Sequence, residues 1–556
     1  MITYFNIRRH VNLFLVSAVV FLCIATYINI LPNKLFFDDE ELIYKNYYVQ
    51  NLRYLPQYFT QNMIAGAGKI SNMYRPILLT SFAADYAVWK DSPFGFHLTS
   101  IVLHSINAVF IFFLILKLFG NKFIAFFSSL FFAVHPALSE AVIYASGRTD
   151  PLYAFFMLCS LLFFISCLEK KKNGWIRYTV SILFFILSLL SKETAIVFPL
   201  ILPLVIIAFL HTKNIKELNN KKIRLVKLKV NNLNVLLKTA LLSLPFFTIS
   251  FIYFILRLTI LNFADTLNFY QNNAGTTGTS VAFLYSQNLP VRLYTFSKVF
   301  FDYVSLIFFP NYLAIARTPQ IITTILNHWV ILFIFAIIIF VIAARHNWPK
   351  NGIIAFALLW FFILILPVSG IIPINNIESE HYLYLPSLSF FVIISYFVYF
   401  IWQKVKSSEI KTAFAMLLII ITLLLSLRTV IRTFDWRDPI TFYNIALSQS
   451  PGNLPMHNNL AMAYEETGNI SLAIEQYKNI IAVGDFYPNI HHNLANAYVK
   501  QGEYKKAETE YKKALSMDPK FYFSYYGLLD LYQKTGNASK AAEMKSVIDR
   551  LQKGQQ

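Results

Sequence analysis

Long apolar runs, separated by short polar segments, make up most of the chain before residue 437. Eleven of these runs are long enough to cross a hydrocarbon core of about 30 Å. They lie at 12–31, 97–118, 122–141, 151–168, 176–191, 194–211, 239–260, 327–345, 351–368, 384–402 and 412–428. Because backbone polar groups must be satisfied inside a bilayer, the pattern predicts an all-α polytopic membrane domain over residues 1–438.

A different pattern occupies residues 439–556, where the same residue types recur with a period of 34. The recurring sets are Leu460, Leu494 and Leu528; Tyr464, Tyr498 and Tyr532; Gly468, Gly502 and Gly536; and Ala473, Ala507 and Ala541. This spacing predicts three tetratricopeptide repeats over Leu454 to Gln555, preceded by a capping helix from Pro439 to Ser450. Such an α-solenoid presents a groove for peptides or partner proteins, although packing or oligomerisation is an alternative role.

Composition and charge agree with a membrane protein, since 56% of the 556 residues are hydrophobic and 14% are charged. The net charge of +19 resides mostly in short loops between apolar runs, which indicates topology signals and disfavours nucleic acid as a partner. The positive clusters are Arg8–Arg9, Lys117–Lys122, Lys170–Lys172, Lys213–Lys238, Arg345–Lys350 and Lys404–Lys411. All of them fall on the cytoplasmic side if the N-terminus is cytoplasmic and eleven helices cross, which places the repeats outside.

One further apolar stretch, Leu293 to Pro310, carries Lys298 and Asp302 and is preceded by Arg292. We expect an interfacial amphipathic or re-entrant helix on the outer side. If this stretch crossed the membrane, the repeat domain would lie on the opposite side.

The first outer loop opens with four consecutive acids, Asp38, Asp39, Glu40 and Glu41. Neighbouring carboxylates repel one another and raise some of their pKa values, which favours a proton acceptor that works near neutral pH. A solvated acidic start of the loop is the alternative interpretation.

Further polar residues lie later in the same loop, in the other outer loops and at the outer ends of the predicted spans. They are Arg75, His135, Glu140, Arg148, Asp150, Lys192, Glu193, Glu380, His381 and Tyr384. Each cluster taken alone could anchor a helix end or belong to an aromatic belt. Their convergence on one membrane face predicts a functional site at the outer interface, because ionisable groups near membrane depth are costly.

One carboxylate together with several cations suits inverting glycosyl transfer from a lipid phosphate. A base takes the proton of the attacking hydroxyl, and the phosphate is a good leaving group that needs no second acid. Asp38 or Asp39 would be the base, and the candidate phosphate or sugar contacts are Arg75, His135, Arg148, Lys192 and His381. Binding of Mg²⁺ or Mn²⁺ by the acids is an alternative, and no residue is assigned as a metal ligand. A soluble nucleotide-sugar donor is disfavoured, because no Gly-rich phosphate loop is present.

These motifs resemble the transmembrane and tetratricopeptide-repeat O-mannosyltransferases, which belong to the GT-C glycosyltransferases. The matching residues are Phe37-Asp38-Asp39 with Ile43 and Asn46, Tyr74-Arg75-Pro76, Pro93 to Leu98 with His104, His135-Pro136 with Glu140-Ala141-Val142, Gly147 to Asp150, Ser191-Lys192-Glu193, Glu380 with Leu383 to Ser387, and Asp435-Trp436-Arg437-Asp438. The resemblance covers nearly the whole chain, and the order of the elements also matches.

The resemblance implies a GT-C fold with about eleven transmembrane helices and a catalytic aspartate in the first outer loop, for which Asp39 is preferred. It implies a dolichyl- or undecaprenyl-phosphate-linked sugar donor, expected to be mannose, Ser or Thr acceptors on proteins, and no cofactor beyond the donor. The chain departs from the family pattern at His381, where relatives tend to have Arg, and at Arg317, where an acid is common.

Three repeats and a composition rich in Lys, Ile and Asn favour a prokaryotic member in the bacterial cytoplasmic membrane, with its repeats outside. Two other hypotheses remain open. The acceptor could be a lipid or surface glycan, or the chain could be a non-catalytic membrane scaffold that acts through its repeats.

Overall fold

The computed structural model describes residues 2–169, 173–219, 233–263, 280–314, 317, 319–347, 352–372, 374, 376–485 and 487–553. Every regular element within these ranges is a helix, which confirms the all-α class. The chain divides into two compact units, Met1–Trp436 and Arg437–Gln556. Several predicted topology signals, namely Lys170–Lys172, positions 220–232 and Lys350, lie outside the described residues.

The first unit contains both long apolar helices and short helices that lie between them. In chain order these are α1 (Ile2–Tyr27), α2 (Leu55–Tyr58), α3 (Pro76–Trp89), α4 (Pro93–Phe119), α5 (Lys122–Val134), α6 (Glu140–Ile143), α7 (Thr149–Glu169), α8 (Gly174–Leu189), α9 (Phe198–Asn219), α10 (Leu233–Leu258), α11 (Ser280–Gln287), α12 (Leu289–Phe308), α13 (His328–Asn347), α14 (Ile353–Ile365), α15 (Leu388–Lys404) and α16 (Ser408–Phe434).

Each of the eleven predicted apolar runs contains a helix. Within the described residues, seven helices are long and apolar enough to cross a membrane, and the runs at α5, α8, α14 and α15 form shorter apolar helices. Large apolar side chains are exposed along α13 and α16, among them Phe335, Ile342, Leu424 and Leu427. Exposed apolar faces of this length are typical of helices that contact lipid, so the chain is an integral membrane protein.

Two predicted runs are longer than the helices they form. In the run at 122–141 the helix α5 ends at Val134, because Pro136 disfavours helical backbone at His135. The run at 384–402 becomes helical only at Leu388, since Pro386 lies in the turn before it. Both shortened ends leave polar side chains outside the helices, where the candidate site is built.

The first and last apolar helices of this unit run in the same direction. Thr26 of α1 hydrogen-bonds Ser426 of α16 at 2.6 Å, and Asn29, in the 3₁₀ turn Ile28–Ile30 that continues α1, hydrogen-bonds Thr433 at the other end of the same contact. Parallel helices at the two ends of the series require an odd number of crossings. Eleven crossings fulfil this requirement, whereas counting α12 as a twelfth would reverse α16.

The second unit consists of a single helix followed by three helix pairs. These are α17 (Pro439–Gln449), α18 (Leu454–Glu466), α19 (Ile470–Val483), α20 (Pro488–Gln501), α21 (Tyr504–Met517), α22 (Tyr522–Lys534) and α23 (Ala538–Lys553). The repeated Ala473 and Ala507 are completely buried, so neighbouring helices pack closely at these positions. The repeated glycines Gly468, Gly502 and Gly536 all have positive φ angles, between 71° and 85°, in the turn within each pair.

Candidate functional site

The acidic run in the first outer loop begins with a strained backbone. Phe37, which precedes the acids, has a φ angle of 62°, a region that bulky residues rarely occupy. The backbone then forms a single π-helical turn over Glu40–Tyr44. Such turns and such strained residues are concentrated at functional sites, where the surrounding contacts hold them in place.

The four acids divide into two pairs with different surroundings. Glu40 and Glu41 form ion pairs with Lys45 at 2.9 and 3.2 Å, and Lys69 lies 3.0 Å from Glu41. Their charges are therefore compensated at the surface. Neither Asp38 nor Asp39 forms an ion pair within 4 Å among the residues described, so the second pair differs in kind from the first.

Asp39 is buried and is held mainly by Ser146, with a further hydrogen bond from the Ala145 backbone. Its Oδ1 accepts a hydrogen bond from the Ser146 backbone N–H at 2.7 Å and a second from the Ser146 hydroxyl. Burial raises the pKa of Asp39 to about 7, the hydrogen bonds from Ser146 oppose this rise, and the charge of Asp38 adds to it. The raised pKa of Asp39 therefore arises mainly from burial, and repulsion from a neighbouring acid is the smaller cause.

Asp38 reaches solvent and lies beside a tyrosine. Its backbone N–H donates to the Tyr144 hydroxyl oxygen at 3.0 Å, and Tyr144 also hydrogen-bonds the Asp38 side chain. Although Asp38 is exposed, surrounding protein partly desolvates its carboxylate and raises its pKa, while Tyr144 and the charge of His381 oppose that rise. An accessible carboxylate is thus held by a hydroxyl group from the segment after α6.

Glu140 and His381, both predicted site residues, meet next to this carboxylate. His381 Nδ1 lies 2.9 Å from Glu140 Oε1, and the Ser379 hydroxyl lies 2.7 Å from the same histidine nitrogen. Glu140 begins α6 and His381 lies in the 3₁₀ turn Glu380–Leu383. The two segments are 241 residues apart in the chain and meet through this contact.

A buried network of acids and arginines continues from this turn. Glu380, which is completely buried, accepts a hydrogen bond from Arg317 Nη2 at 3.1 Å, and Arg432 Nη2 lies 3.8 Å away. Arg317 also pairs with Glu378 at 3.1 Å. Burial raises the pKa of Glu378 to about 7, and Arg317 opposes this rise. Arg317, which departs from the family pattern, therefore supplies the positive charge that compensates these two glutamates.

A second polar cluster combines the remaining predicted residues. Lys192 Nζ contacts both carboxylate oxygens of Asp150, at 2.7 and 2.8 Å, and both side chains are buried. Arg75 pairs with Glu193 at 3.1 Å. The Lys192 ammonium also lies 5.6 Å from the ring centre of Tyr382, the residue after His381. The tyrosine thus connects this cluster to the turn that carries His381.

Arg148, which was predicted as a phosphate contact, lies apart from these clusters. Its side chain is completely buried and pairs with Asp85 at 2.5 Å. It also donates to the Phe96 carbonyl at 2.6 Å and stacks 4.9 Å from the ring centre of Phe82. With its donors committed to α3 and α4, Arg148 holds these helices together, and this burial favours a structural role over the predicted phosphate contact.

His135 and Tyr384, also predicted as substrate contacts, are buried and have hydrogen-bond partners inside the protein. His135 Nε2 lies 2.9 Å from the Ile307 carbonyl, and its Nδ1 accepts from the Ala137 N–H at 3.2 Å. The Tyr384 hydroxyl lies 2.8 Å from His104 Nδ1. Their polar atoms are satisfied by these neighbours, which leaves none for a sugar or a phosphate.

Several residues of the site were not predicted as site residues from the sequence, among them Tyr144, Ser146, Glu378, Ser379, Arg317 and Arg432. Ser146 directly precedes the Gly147-Arg148 motif, so its position was a usable signal. Arg317 was noticed only as a departure from the family pattern. The contacts of Tyr144 and Arg432 depend on the path of the backbone, for which the sequence offered no pattern.

Comparison with known families matches three segments of the chain. Residues 78–237 match the family of dolichyl-phosphate-mannose-protein mannosyltransferases. Residues 454–483 and 488–521 match tetratricopeptide repeats. The chain is thus an integral membrane protein that is similar to these mannosyltransferases over residues 78–237 and to tetratricopeptide repeats over its two C-terminal segments.

The similarity to individual proteins extends over most of the chain. The protein O-mannosyl-transferase F38B6.6 of Caenorhabditis elegans is 28% identical over 84% of this chain and 62% of its own length. The protein O-mannosyl-transferase TMTC3 of Homo sapiens is 24% identical over 84% of this chain and 51% of its own length. The chain is thus similar to protein O-mannosyl-transferases over most of its own length, in agreement with the expected resemblance, and spans about half to three fifths of the length of these relatives.

Among solved structures, the archaeal oligosaccharyltransferase AglB of Archaeoglobus fulgidus, in complex with an inhibitory peptide and a dolichol-phosphate, is similar to this chain. It has a TM-score of 0.42 at 12% identity, covering 77% of this chain and 56% of that one.

Proposed function

We propose that this protein transfers mannose from a polyprenyl-phosphate carrier to Ser or Thr hydroxyls of proteins on the non-cytoplasmic face of the membrane. The observation that carries the proposal is the pair Asp38 and Asp39, which lacks ion-pair partners in the described structure and adjoins Glu140, His381 and Tyr144. The homologues named protein O-mannosyl-transferases support mannose as the sugar and protein as the acceptor.

The proposed reaction is a single inverting displacement. Asp38 accepts the proton of the acceptor hydroxyl while the hydroxyl oxygen forms a bond to C1 of the mannose. The bond between C1 and the phosphate oxygen breaks, and the polyprenyl phosphate leaves with the bonding electron pair. The products are the mannosylated Ser or Thr, the polyprenyl phosphate and a protonated Asp38, which returns its proton to water.

Solvent exposure decides which of the two aspartates is proposed as the general base. A general base must come within hydrogen-bond distance of the proton it removes, and its pKa is the second criterion. Asp38 is exposed, whereas Asp39 is buried with Oδ1 held by Ser146. We therefore propose Asp38 as the base and Asp39 as the residue that fixes the turn, which reverses the preference drawn from the family resemblance.

The cluster of Arg75 and Lys192 is the proposed contact for the donor phosphate. Each cation is paired with one acid, Glu193 and Asp150 respectively, so the cluster is held in place before substrate arrives. The Arg75 side chain is 19% exposed, so its guanidinium remains within reach of a ligand. Bidentate donors such as guanidinium suit a phosphate leaving group. Mg²⁺ or Mn²⁺ at the acids stays an alternative that chelation would test.

The proposed topology places this site outside and the N-terminus in the cytoplasm, in the bacterial cytoplasmic membrane. The site gathers residues at the end of α1, the start of α7 and the end of α8. Lys117 and Glu169, at the opposite ends of α4 and α7, pair with each other at 2.6 Å. Lys117 belongs to a positive cluster assigned to the cytoplasm, so the geometry of these helices supports that orientation.

The repeats of the second unit are proposed to bind the acceptor polypeptide. Solenoids of this kind present extended surfaces to peptides. Their position on the same side of the membrane as the site follows from the proposed topology, in which α16 ends at the outer face.

The function is tested by intact-mass analysis of exported proteins from cells that contain the wild-type chain, the Asp38→Asn variant or no copy. The proposal predicts hexose-sized adducts on Ser or Thr in the wild type alone. Unchanged proteins with altered glycolipids would instead establish a lipid or glycan acceptor. If Asp38→Asn cells match the wild type while changes in the repeats abolish the phenotype, the chain is a scaffold.

A further inference from the structure

The segment Tyr144–Ser146 contacts both aspartates, and its tyrosine has no role in the reaction as written. The Tyr144 hydroxyl accepts the backbone N–H of Asp38 at 3.0 Å and hydrogen-bonds its carboxylate. The Tyr144 ring lies 6.1 Å from the ring centre of Phe37 and 5.3 Å from that of Trp436. One side chain therefore touches the strained residue, the backbone after it and the proposed base.

The strain at Phe37 needs an external cause. A φ angle of 62° is unfavourable for a bulky side chain and persists only where neighbouring contacts outweigh its cost. Tyr144 makes two such contacts, with the Phe37 ring and with the N–H immediately following it. Trp436 supports Tyr144 from another direction and also lies 6.4 Å from the ring centre of Phe36.

We propose that Tyr144 is a positioning residue for the transfer reaction: its hydroxyl and ring hold the Phe37–Asp38 backbone in the left-handed conformation that presents the Asp38 carboxylate to the acceptor hydroxyl. This inference rests on the proposed function, since it assigns Tyr144 to the base of that reaction. Tyr144 itself exchanges no proton with substrate, and Asp38 alone accepts the acceptor's proton.

The contributions of the Tyr144 hydroxyl and of its ring can be measured separately. Tyr144→Phe keeps the contacts with Phe37 and Trp436 and removes both hydrogen bonds to Asp38. Hydrogen bonds to charged groups have large effects when one partner is removed, so kcat should fall by about tenfold or more while KM for the acceptor changes little. Because the lost hydrogen bond favoured the charged carboxylate, the acid limb of the kcat profile should move upward by roughly half a pH unit or more.

A matched control exists in the same outer loop. The buried Tyr58 donates its hydroxyl to the Tyr48 carbonyl at 2.7 Å, and within the described structure it hydrogen-bonds neither aspartate. Tyr58→Phe should therefore lower thermal stability about as much as Tyr144→Phe, with kcat and the pH profile unchanged. A purely structural role for Tyr144 predicts that the two variants behave alike.

A double-variant cycle tests the backbone part of the inference. Glycine adopts positive φ angles freely, so Phe37→Gly removes the strain that Tyr144 is inferred to hold. In the Phe37→Gly background, Tyr144→Phe should then cost several-fold less in kcat than it costs alone. Equal costs in the two backgrounds would overturn this part.

The assay is mannose transfer by the full-length chain in proteoliposomes, with polyprenyl-phosphate mannose as the probe and a Ser/Thr-rich peptide as acceptor. An active wild type with a Tyr144→Phe variant that matches it in kcat and pH profile refutes the role of Tyr144 and leaves the proposed function intact. A wild type without transferase activity refutes the proposed function itself. The inference is supported when Tyr144→Phe alone loses kcat and shifts its acid limb.

Discussion

Ser146 donates two hydrogen bonds to the same carboxylate oxygen of Asp39, one from its backbone N–H at 2.7 Å and one from its hydroxyl. The two residues are 107 positions apart and close the acidic turn onto the segment that precedes α7. Alanine at position 146 would remove the hydroxyl bond and keep the backbone bond, so the two contributions can be separated.

Replacing Ser146 by alanine should weaken the turn without dismantling it. The backbone hydrogen bond to Asp39 remains, and the lost hydroxyl should cost about 1 kcal/mol in the free energy of unfolding. We expect transferase activity to fall several-fold, measured as kcat with saturating donor. Ser129→Ala, which removes a hydroxyl bonded within α5 to the Phe126 carbonyl, is the control and should leave kcat unchanged.

Replacing Asp39 by asparagine should stabilise the protein at alkaline pH. Burial raises the pKa of Asp39 to about 7. A carboxyl group with a raised folded-state pKa stabilises the fold fully below its unfolded-state pKa of about 4 and loses that contribution as pH rises through about 7. Asparagine stays neutral, so the gain should appear at pH 8, on the order of a few kcal/mol, and be small at pH 4.

Thermal unfolding of Asp39→Asn at pH 5 and pH 8 measures this dependence. The exposed Asp91 of the same loop offers a control, because Asp91→Asn changes the formal charge equally without removing a buried group. A stability gain that is equal at both pH values would contradict the burial of an ionised Asp39.

Arg148 is predicted to matter for folding rather than for donor binding. Arg148→Met leaves the buried Asp85 without its partner and should cost about 3–5 kcal/mol. Adding Asp85→Asn should recover part of that loss, because the unpaired charge is then removed. The outcome that would restore the phosphate role is a normal unfolding temperature combined with a raised KM for the polyprenyl-phosphate donor.

His491 should make the stability of the repeats depend on pH. It is buried between Asp485 and Glu510, with each contact at 2.5 Å, and Lys513 lies 3.4 Å from Asp485. Burial alone would lower the pKa of His491, but the hydrogen bonds and charges of the two acids outweigh it and raise the pKa. Protonated His491 therefore stabilises the fold fully below about pH 6.5, and this contribution is lost as pH rises through the raised value.

Hydrogen exchange of α20 and α21 in the full-length chain, measured between pH 6 and pH 9, reports this dependence. The equivalent His457, one repeat earlier, contacts the neutral Gln476 side chain at 2.7 Å and the Pro451 carbonyl at 2.9 Å. His491→Gln should flatten the pH dependence of protection, whereas His457→Gln should leave it unchanged. Identical effects of both substitutions would contradict the role assigned to the two acids.

The helices and repeats were predictable because their signals are local and periodic. An apolar run marks a spanning helix wherever it lies in the chain, and the 34-residue period marks each repeat. The ends of the runs were less predictable, as at His135-Pro136, where a single proline ends α5 seven residues early. The parallel direction of α1 and α16 is not visible in the sequence and follows from tertiary contacts such as that between Thr26 and Ser426.

The sequence predicted which residues belong to the site better than it predicted the role of each residue. Glu140 and His381 were chosen as polar residues of outer loops, and the structure brings them into contact. Arg148 was chosen on the same grounds and lies buried against Asp85, because hydropathy cannot distinguish a cation that faces a cavity from one that is paired inside the protein. Ser146 and Tyr144 carry no charge and depend entirely on tertiary contacts.

In the proposed reaction Asp38 acts as the base, whereas the neighbouring Glu40 and Glu41 only pair with lysines. The most direct test compares single-turnover mannose transfer by Asp38→Asn and Glu41→Gln in proteoliposomes. We expect the first variant to lose about 10²–10⁴-fold in rate with donor binding retained, and the second to stay within a few-fold of the wild type. An Asp38→Asn variant that transfers mannose at the wild-type rate, or a Glu41→Gln variant equally inactive, would contradict the account.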